Sequence, residues 1–159
     1  MNPSNRPRVT VAAIVEQDGR FLLVEERTPQ GLQLNNPAGH LEAGESPENG
    51  VIREALEETG REFRPAGLVG VYLSRTRHAT PEGGSDVSYL RLAFHGRVGN
   101  ADPSRTLDQG IVRTLWLTPD EVRASRARHR SPLVVQCMDD YLRGRRYPLD
   151  LIRTDPGVF

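Results

Sequence analysis

The chain has 159 residues, and its 21 basic and 21 acidic side chains give a formal net charge of zero. This length suits one domain with a substantial core. The balanced charge provides no bulk attraction to nucleic acid or to a membrane surface. Every basic side chain is Arg, which excludes a lysine-dependent phosphate loop and Schiff-base chemistry. The single cysteine cannot form an internal disulfide, as is typical of a reducing compartment.

The first eight residues lack the apolar stretch of a secretory signal, and no run reaches the roughly 18 apolar residues of a membrane-spanning helix. We therefore expect a soluble, cytoplasmic protein with no membrane or nucleic-acid partner, either a monomer or a homodimer. Residues 1–159 are expected to form one domain, with residues 1–7 as a flexible N-terminal arm and residues 150–159 as a C-terminal tail.

The first half of the chain carries clear signals for a hairpin and a helix. Two β-rich runs, Val9–Val15 and Phe21–Val24, flank Asp18-Gly19, a dipeptide typical of tight hairpins. A weaker strand is expected over Leu32–Asn36. A helix is predicted over Pro47–Thr59, because Ser46 is a good N-cap, Pro47 suits the first helical position and Gly60 favours a left-handed stop.

The second half predicts three strands and two helices. The strands are Leu68–Ser74, Tyr89–Val98 and Ile111–Leu117, and a polar loop over Arg77–Asp86 separates the first two. The sequence Thr118-Pro-Asp-Glu121 opens one helix with a capping pattern, and another is expected from about Ser131 to Leu142. Strands on both sides of a central helix, followed by helices, predict an α/β fold with a mixed sheet.

Three carboxylates within the predicted helix indicate a metal site. Glu54, Glu57 and Glu58 share one helical face, roughly opposite an apolar face that includes Ala55. Carboxylates so close repel one another, so a divalent cation is the natural remedy. Magnesium prefers oxygen ligands, and the sequence has no Cys or His pair at zinc-binding spacing. We expect Mg²⁺, with Mn²⁺ as an alternative.

The acidic segment matches the pattern G-x5-E-x7-R-E-U-x-E-E-x-G-U, in which U is a bulky apolar residue. The identical positions are Gly39, Glu45, Arg53, Glu54, Glu57, Glu58 and Gly60. This pattern is the Nudix box, and from Val9 to Leu149 the chain resembles the Nudix hydrolases. The resemblance implies an α/β/α sandwich with a mixed sheet, in which the box forms a loop–helix–loop. Arg61 replaces the last apolar residue, and we expect it to pair with Glu57.

The resemblance also implies roles for these residues. The metal ligands would be Glu54, Glu57, Glu58 and the carbonyl group of Gly39. Arg53 would orient the carboxylates, and Glu45 would support the loop or a second metal. Glu54 is the candidate general base within the box, and Asp108 is a second candidate from a later loop.

Sequences beyond the box pattern indicate a substrate class. A subfamily resemblance, to the bacterial NudJ type, rests on five strings together: Val9–Ala12, Val24–Glu26, Asn36–Glu42, Arg130–Val134 and Arg146–Leu149. That resemblance implies a phosphatase for nucleoside tri- and diphosphates and for related pyrophosphates such as a thiamine precursor. One alternative is a pyrophosphatase for ADP-ribose, oxidised nucleotides or dinucleoside polyphosphates. Another is a Nudix module that senses nucleotides without cleaving them.

Four further residues are candidate substrate contacts. Asn36 and His40 flank the glycine of the box and suit a phosphate or a base, although each could instead only shape the loop. Arg27 and Arg91 suit a terminal phosphate, because a guanidinium group binds phosphate with two parallel hydrogen bonds. The alternative for both arginines is an ordinary position on the surface.

Overall fold

The computed structural model describes residues 6–78 and 83–159, which form two β-sheets and three α-helices. The strands of this described part are β1 Arg8–Ile14, β2 Glu16–Gln17, β3 Arg20–Thr28, β4 Gly31–Asn35, β5 Ala38–His40, β6 Phe63–His78, β7 Ser85–Val98 and β8 Ile111–Leu117. The helices are α1 Pro47–Thr59, α2 Pro119–Ala124 and α3 Leu133–Leu142. Short 3-10 turns cover Arg126–Arg128, Leu149–Leu151 and Pro156–Val158.

One sheet is mixed and the other is antiparallel. The mixed sheet has the strand order β5-β1-β7-β6, in which β1 and β7 are parallel and the other pairs are antiparallel. In the second sheet β3 lies between β4 and β8, and the short β2 also pairs with β3. The predicted α/β class with a mixed sheet is therefore confirmed.

The signals at the ends of α1 act as the sequence predicts. The Ser46 hydroxyl accepts a hydrogen bond of 3.1 Å from the amide of Asn49, and Pro47 is the first helical residue. Gly60 ends the helix with a φ of 68°, a left-handed conformation that glycine adopts without strain. The predicted helix Pro47–Thr59 has these bounds in the structure.

Alternate residues of the central strands face two apolar clusters, one on each side of the mixed sheet. Val11 and Ala13 of β1 pack with Val51 and Ala55 of α1. Ile14 belongs to the second cluster, which includes Val134, Cys137 and Met138 of α3. The sheet is thus enclosed between α1 and α3, as expected for an α/β/α sandwich. No helix in the described ranges is long and apolar enough to cross a membrane.

Several element boundaries differ from the predictions. Strand β6 spans Phe63–His78 and β7 spans Ser85–Val98, so both are longer than predicted. They extend into polar sequence because they pair with each other as far as His78 and Ser85. Part of the predicted polar loop (residues 79–82) and part of the predicted N-terminal arm (residues 1–5) lie outside the described residues. Strands β2 and β5 were not predicted, since two or three residues carry no periodic signal.

Candidate active site

The strand β5 lies so close to α1 that any side chain at position 39 would displace the carboxylate of Glu54. A Cβ atom on Gly39 would be 2.1 Å from both Cδ and Oε1 of Glu54, far inside van der Waals contact. The preceding residue makes a polar contact with α1: the amide of Ala38 donates a 2.7 Å hydrogen bond to Oε1 of Glu58. These contacts bring the loop and two box carboxylates together.

Glu54 and Glu58 are buried, with exposed fractions of 8% and 7%. The acidic face of α1 is therefore covered by protein, in addition to the apolar face that carries Ala55. The cover is β5, which packs onto the side of α1 that carries Glu54 and Glu58. Glu57 is the partly exposed member of the three.

Arg53 links the acidic residues on both sides of it. Its Nη2 and Nε donate to the carboxylate of Glu45 at 2.7 and 2.9 Å. Its Nη1 donates to Glu54 at 2.8 Å and to Glu57 at 3.1 Å, and its Nη2 also reaches the carbonyl oxygen of His40 at 3.0 Å. A planar guanidinium group suits this arrangement, since it can hold several acceptors in fixed directions.

The environment of the buried carboxylates favours their neutral forms. Desolvation raises the pKa of Glu58 to about 8 against the opposing bond from Ala38, and the nearby charges of Glu26, Glu54 and Asp108 add to the increase. Desolvation also raises the pKa of Glu54, although Arg53 opposes this change. Such crowding of acids is typical of a site that holds a cation.

Glu54, Glu57 and Asp108 each offer one carboxylate oxygen, and these oxygens lie within 4.8 Å of one another. This set of oxygen donors suits a hard divalent cation and not a thiolate-preferring metal. Glu58 lies outside this set, and its Oε1 is bonded to Ala38. The backbone amide of Asp108 donates to the carbonyl oxygen of Glu57 at 2.9 Å, and this hydrogen bond holds Asp108 beside the cluster.

Two of the four predicted substrate contacts, Asn36 and Arg91, bind each other. Oδ1 of Asn36 accepts a 2.8 Å hydrogen bond from Arg91, which is only 5% exposed, so Arg91 is not the ordinary surface residue of the alternative interpretation. The exposed His40 has its ring 6.3 Å from that of Tyr89. Arg27 is exposed on β3, and its amide donates to Gly110.

Arg61 does not pair with Glu57. Its Nη1 donates to the carbonyl oxygen of Gly99 at 2.8 Å, and its guanidinium lies 5.5 Å from the centre of the Trp116 ring. Glu57 is bound instead by Arg53, which reaches it from one helical turn earlier. Arg61 thus contributes to packing after the helix stop and leaves Glu57 directed toward the acidic cluster.

Sequence reasoning assigned no role in the site to Glu26. This carboxylate lies near Glu58, whose pKa it raises, and it accepts a 3.1 Å hydrogen bond from Arg130. Two consecutive acids, Glu25 and Glu26, directly follow the apolar run of β3. An exposed strand end would explain such a pair equally well, so the pattern did not single out a site. Glu25 is also buried, and it is neutralised by Arg113 and Arg128.

Comparisons with known proteins agree with this arrangement. The family model for the NUDIX domain matches residues 5–136. Phosphatase NudJ of Escherichia coli (strain K12) is 34% identical over 147 residues, which cover 92% of this chain and 91% of that protein. A solved NUDIX hydrolase from Nitrosomonas europaea is 50% identical, with a TM-score of 0.85 over 96% of this chain and 99% of its own. The E. coli ORF135 protein, at 20% identity, shares the fold with a TM-score of 0.64 over 91% of this chain and 95% of its own.

Proposed function

Since the chain belongs to the Nudix family of hydrolases, we propose that it cleaves phosphoanhydride bonds of nucleoside tri- and diphosphates or of related small pyrophosphates, with Mg²⁺ or Mn²⁺ as cofactor. The observation that carries this proposal is the cluster of Glu54, Glu57 and Asp108 beside the Gly39 loop. The similarity to an E. coli phosphatase over nine-tenths of both chains supports the substrate class.

The proposed ligands are Glu54, Glu57 and Asp108, with Glu58 and the carbonyl group of Gly39 as further candidates. A divalent cation bound there would neutralise phosphate oxygens and lower the pKa of a coordinated water. Glu54 is the proposed base, because its carboxylate is buried within the acidic cluster.

Arg53 and Glu45 would hold these groups in place without touching the substrate. Arg53 bonds Glu45, Glu54 and Glu57 at once, so its removal would free three carboxylates that repel one another. Its bond with Glu45 is the largest cause that raises the pKa of Arg53, and the same bond lowers the pKa of Glu45. The pair therefore stays ionised while the metal site changes charge.

On the substrate side, His40 is proposed to contact the base or the phosphates, because it is exposed and directly follows Gly39. Arg27 remains a proposed contact for a terminal phosphate. The zero net charge supports a small-molecule substrate and no nucleic-acid or membrane partner. We also propose a cytoplasmic location.

The test is release of orthophosphate and pyrophosphate from a panel of compounds, in Mg²⁺ and in EDTA. The panel holds nucleoside tri- and diphosphates, ADP-ribose, a diadenosine polyphosphate and a thiamine-type pyrophosphate. We expect release of orthophosphate from the tri- and diphosphates in Mg²⁺ and no release in EDTA. Cleavage of only ADP-ribose or the dinucleotide would overturn the substrate class and keep the chemistry, and nucleotide binding without any turnover would overturn the enzymatic proposal.

A further inference from the structure

A buried arginine lies behind the loop that carries Gly39. Arg91 of β7 donates from Nη1 to Oδ1 of Asn36 at 2.8 Å and from Nη2 to Oδ1 of Asn35 at 3.1 Å. Its Nη1 is also 3.9 Å from Sγ of Cys137. Over residues 6–78 and 83–159 the hydrogen-bond partners of this guanidinium are these uncharged groups, and no carboxylate neutralises it.

A buried charge without a counterion is costly, so this position is not explained by stability alone. The buried Glu25, in contrast, has two arginine partners, Arg113 and Arg128. Arg91 instead donates hydrogen bonds to the side-chain amide oxygens of two consecutive residues. Its fork of nitrogens matches that pair of acceptors, whereas a lysine would offer one point of attachment.

The residues that follow Asn35 and Asn36 are those that meet the acidic helix. After Pro37, the amide of Ala38 bonds Glu58, Gly39 lies against the carboxylate of Glu54, and the carbonyl oxygen of His40 accepts from Arg53. The six-residue segment 35–40 is therefore held by Arg91 at its start and contacts α1 at its end.

The sheet provides a rigid support for this arrangement. Thr10 of β1 pairs with His40 on one side and with Arg91 on the other. Two strand spacings, about 10 Å, therefore separate the backbones of His40 and Arg91. The amide of Ala13 in β1 also bonds the carbonyl oxygen of Pro37 at 2.8 Å. A shift of Asn35 and Asn36 relative to this strand would move the segment that contacts Glu54 and Glu58.

We infer that Arg91 is a positioning residue for the metal site: by holding Asn35 and Asn36 it fixes where residues 38–40 meet the carboxylates of α1. This inference rests on the proposed function, in which a divalent cation binds at Glu54, Glu57 and Asp108. Arg91 and Asn36 then act through the loop and do not touch the substrate.

The first test compares Arg91→Lys with the parent protein by titration of Mn²⁺ into substrate-free protein. Loss of the fork should weaken Mn²⁺ binding about tenfold, at the lower end of what outer supports of a metal site contribute. It should lower kcat and leave KM nearly unchanged. The matched control is Arg97→Lys, on the same strand but exposed, which should bind Mn²⁺ like the parent. A raised KM with parent-like Mn²⁺ binding would mean direct substrate contact and would overturn the inference.

A second variant keeps the inference testable if Arg91→Lys does not fold. Asn35→Ala, at a half-buried position, removes one acceptor and leaves the arginine, so it should weaken Mn²⁺ binding in the same direction by a smaller factor. Circular dichroism would check both folds. Parent-like Mn²⁺ binding in the folded variants would overturn this inference alone, whereas a parent protein that binds no Mn²⁺ would overturn it together with the proposed function.

Discussion

The backbone amide of Asp108 donates a 2.9 Å hydrogen bond to the carbonyl oxygen of Glu57. That carbonyl belongs to the last turn of α1, where carbonyl groups have no partner within the helix. The same contact places the carboxylate of Asp108 beside those of Glu54 and Glu57. The loop thus caps the helix and completes the acidic cluster in one step.

Asp108→Asn should lower turnover by about tenfold or more, because it removes a charge from the cluster and preserves the shape and the backbone bond. Magnesium-dependent phosphate release measures the effect. Asp102→Asn is the control in the same loop, since its Oδ1 accepts from Ser104 and an amide oxygen can do the same. Equal rates in the two variants would place Asp108 outside the reaction.

Gly39→Ala should fold and yet lose most activity. The added methyl group would lie 2.1 Å from the end of the Glu54 side chain, which can rotate away at little cost to folding but then leaves the metal site. Gly99→Ala is the control, because nothing lies within 4 Å of a Cβ there. Melting temperature and phosphate release, measured together, separate the two effects. Parent-like turnover by Gly39→Ala would show that the position of Glu54 is unimportant.

Glu58→Gln should reduce turnover by about 10²-fold and leave the fold intact. Burial raises the pKa of Glu58 to about 8, so the metal-free protein favours an uncharged group here and an amide should not lower its melting temperature. Glu48→Gln, in the exposed first turn of the same helix, is the comparison. The prediction fails if Glu58→Gln hydrolyses substrate as fast as Glu48→Gln.

Glu25 should make stability depend on acid pH. Hydrogen bonds from Arg113 and then Arg128 lower the pKa of Glu25 below its usual 4.5. A lowered folded-state pKa stabilises the protein above the unfolded-state pKa, and this contribution is lost as the pH falls through the folded value. Glu25→Gln should therefore cost about 1 kcal/mol at pH 7, or about 2–4 °C in melting temperature.

The difference between Glu25→Gln and the parent should shrink as the pH falls below 4.5, which thermal melts from pH 7 to pH 3 would follow. Glu121→Gln is the control, since the pair of Glu121 with Arg20 is half exposed at 3.5 Å and should contribute little. A difference in melting temperature that stays constant across that range would show that the ionisation of Glu25 does not cause it.

The sequence predicts best what a few neighbouring residues decide. The ends of α1 depend on Ser46 and Gly60, and the turn before β3 depends on Asp18 and Gly19, both of which have positive φ. Local spacing also places Glu54, Glu57 and Glu58 on adjacent turns.

What the sequence does not predict depends on distant contacts. The burial of Glu54 and Glu58 requires β5, which precedes α1 by several residues and has no periodic signal. The burial of Arg91 requires Asn35 and Asn36, more than 50 positions away. Pairing of Arg61 with Glu57 was a sound local expectation, but Gly99 and Trp116 bind that arginine instead.

The most direct test of the central claim is the initial rate of phosphate release from a nucleoside diphosphate against Mg²⁺ concentration, for the parent protein and for Glu57→Gln. The account predicts no release in EDTA, a saturable increase with Mg²⁺ for the parent, and a rate about 10²-fold lower for Glu57→Gln. Release that persists in EDTA, or a Glu57→Gln variant with the rate and the Mg²⁺ dependence of the parent, would contradict it.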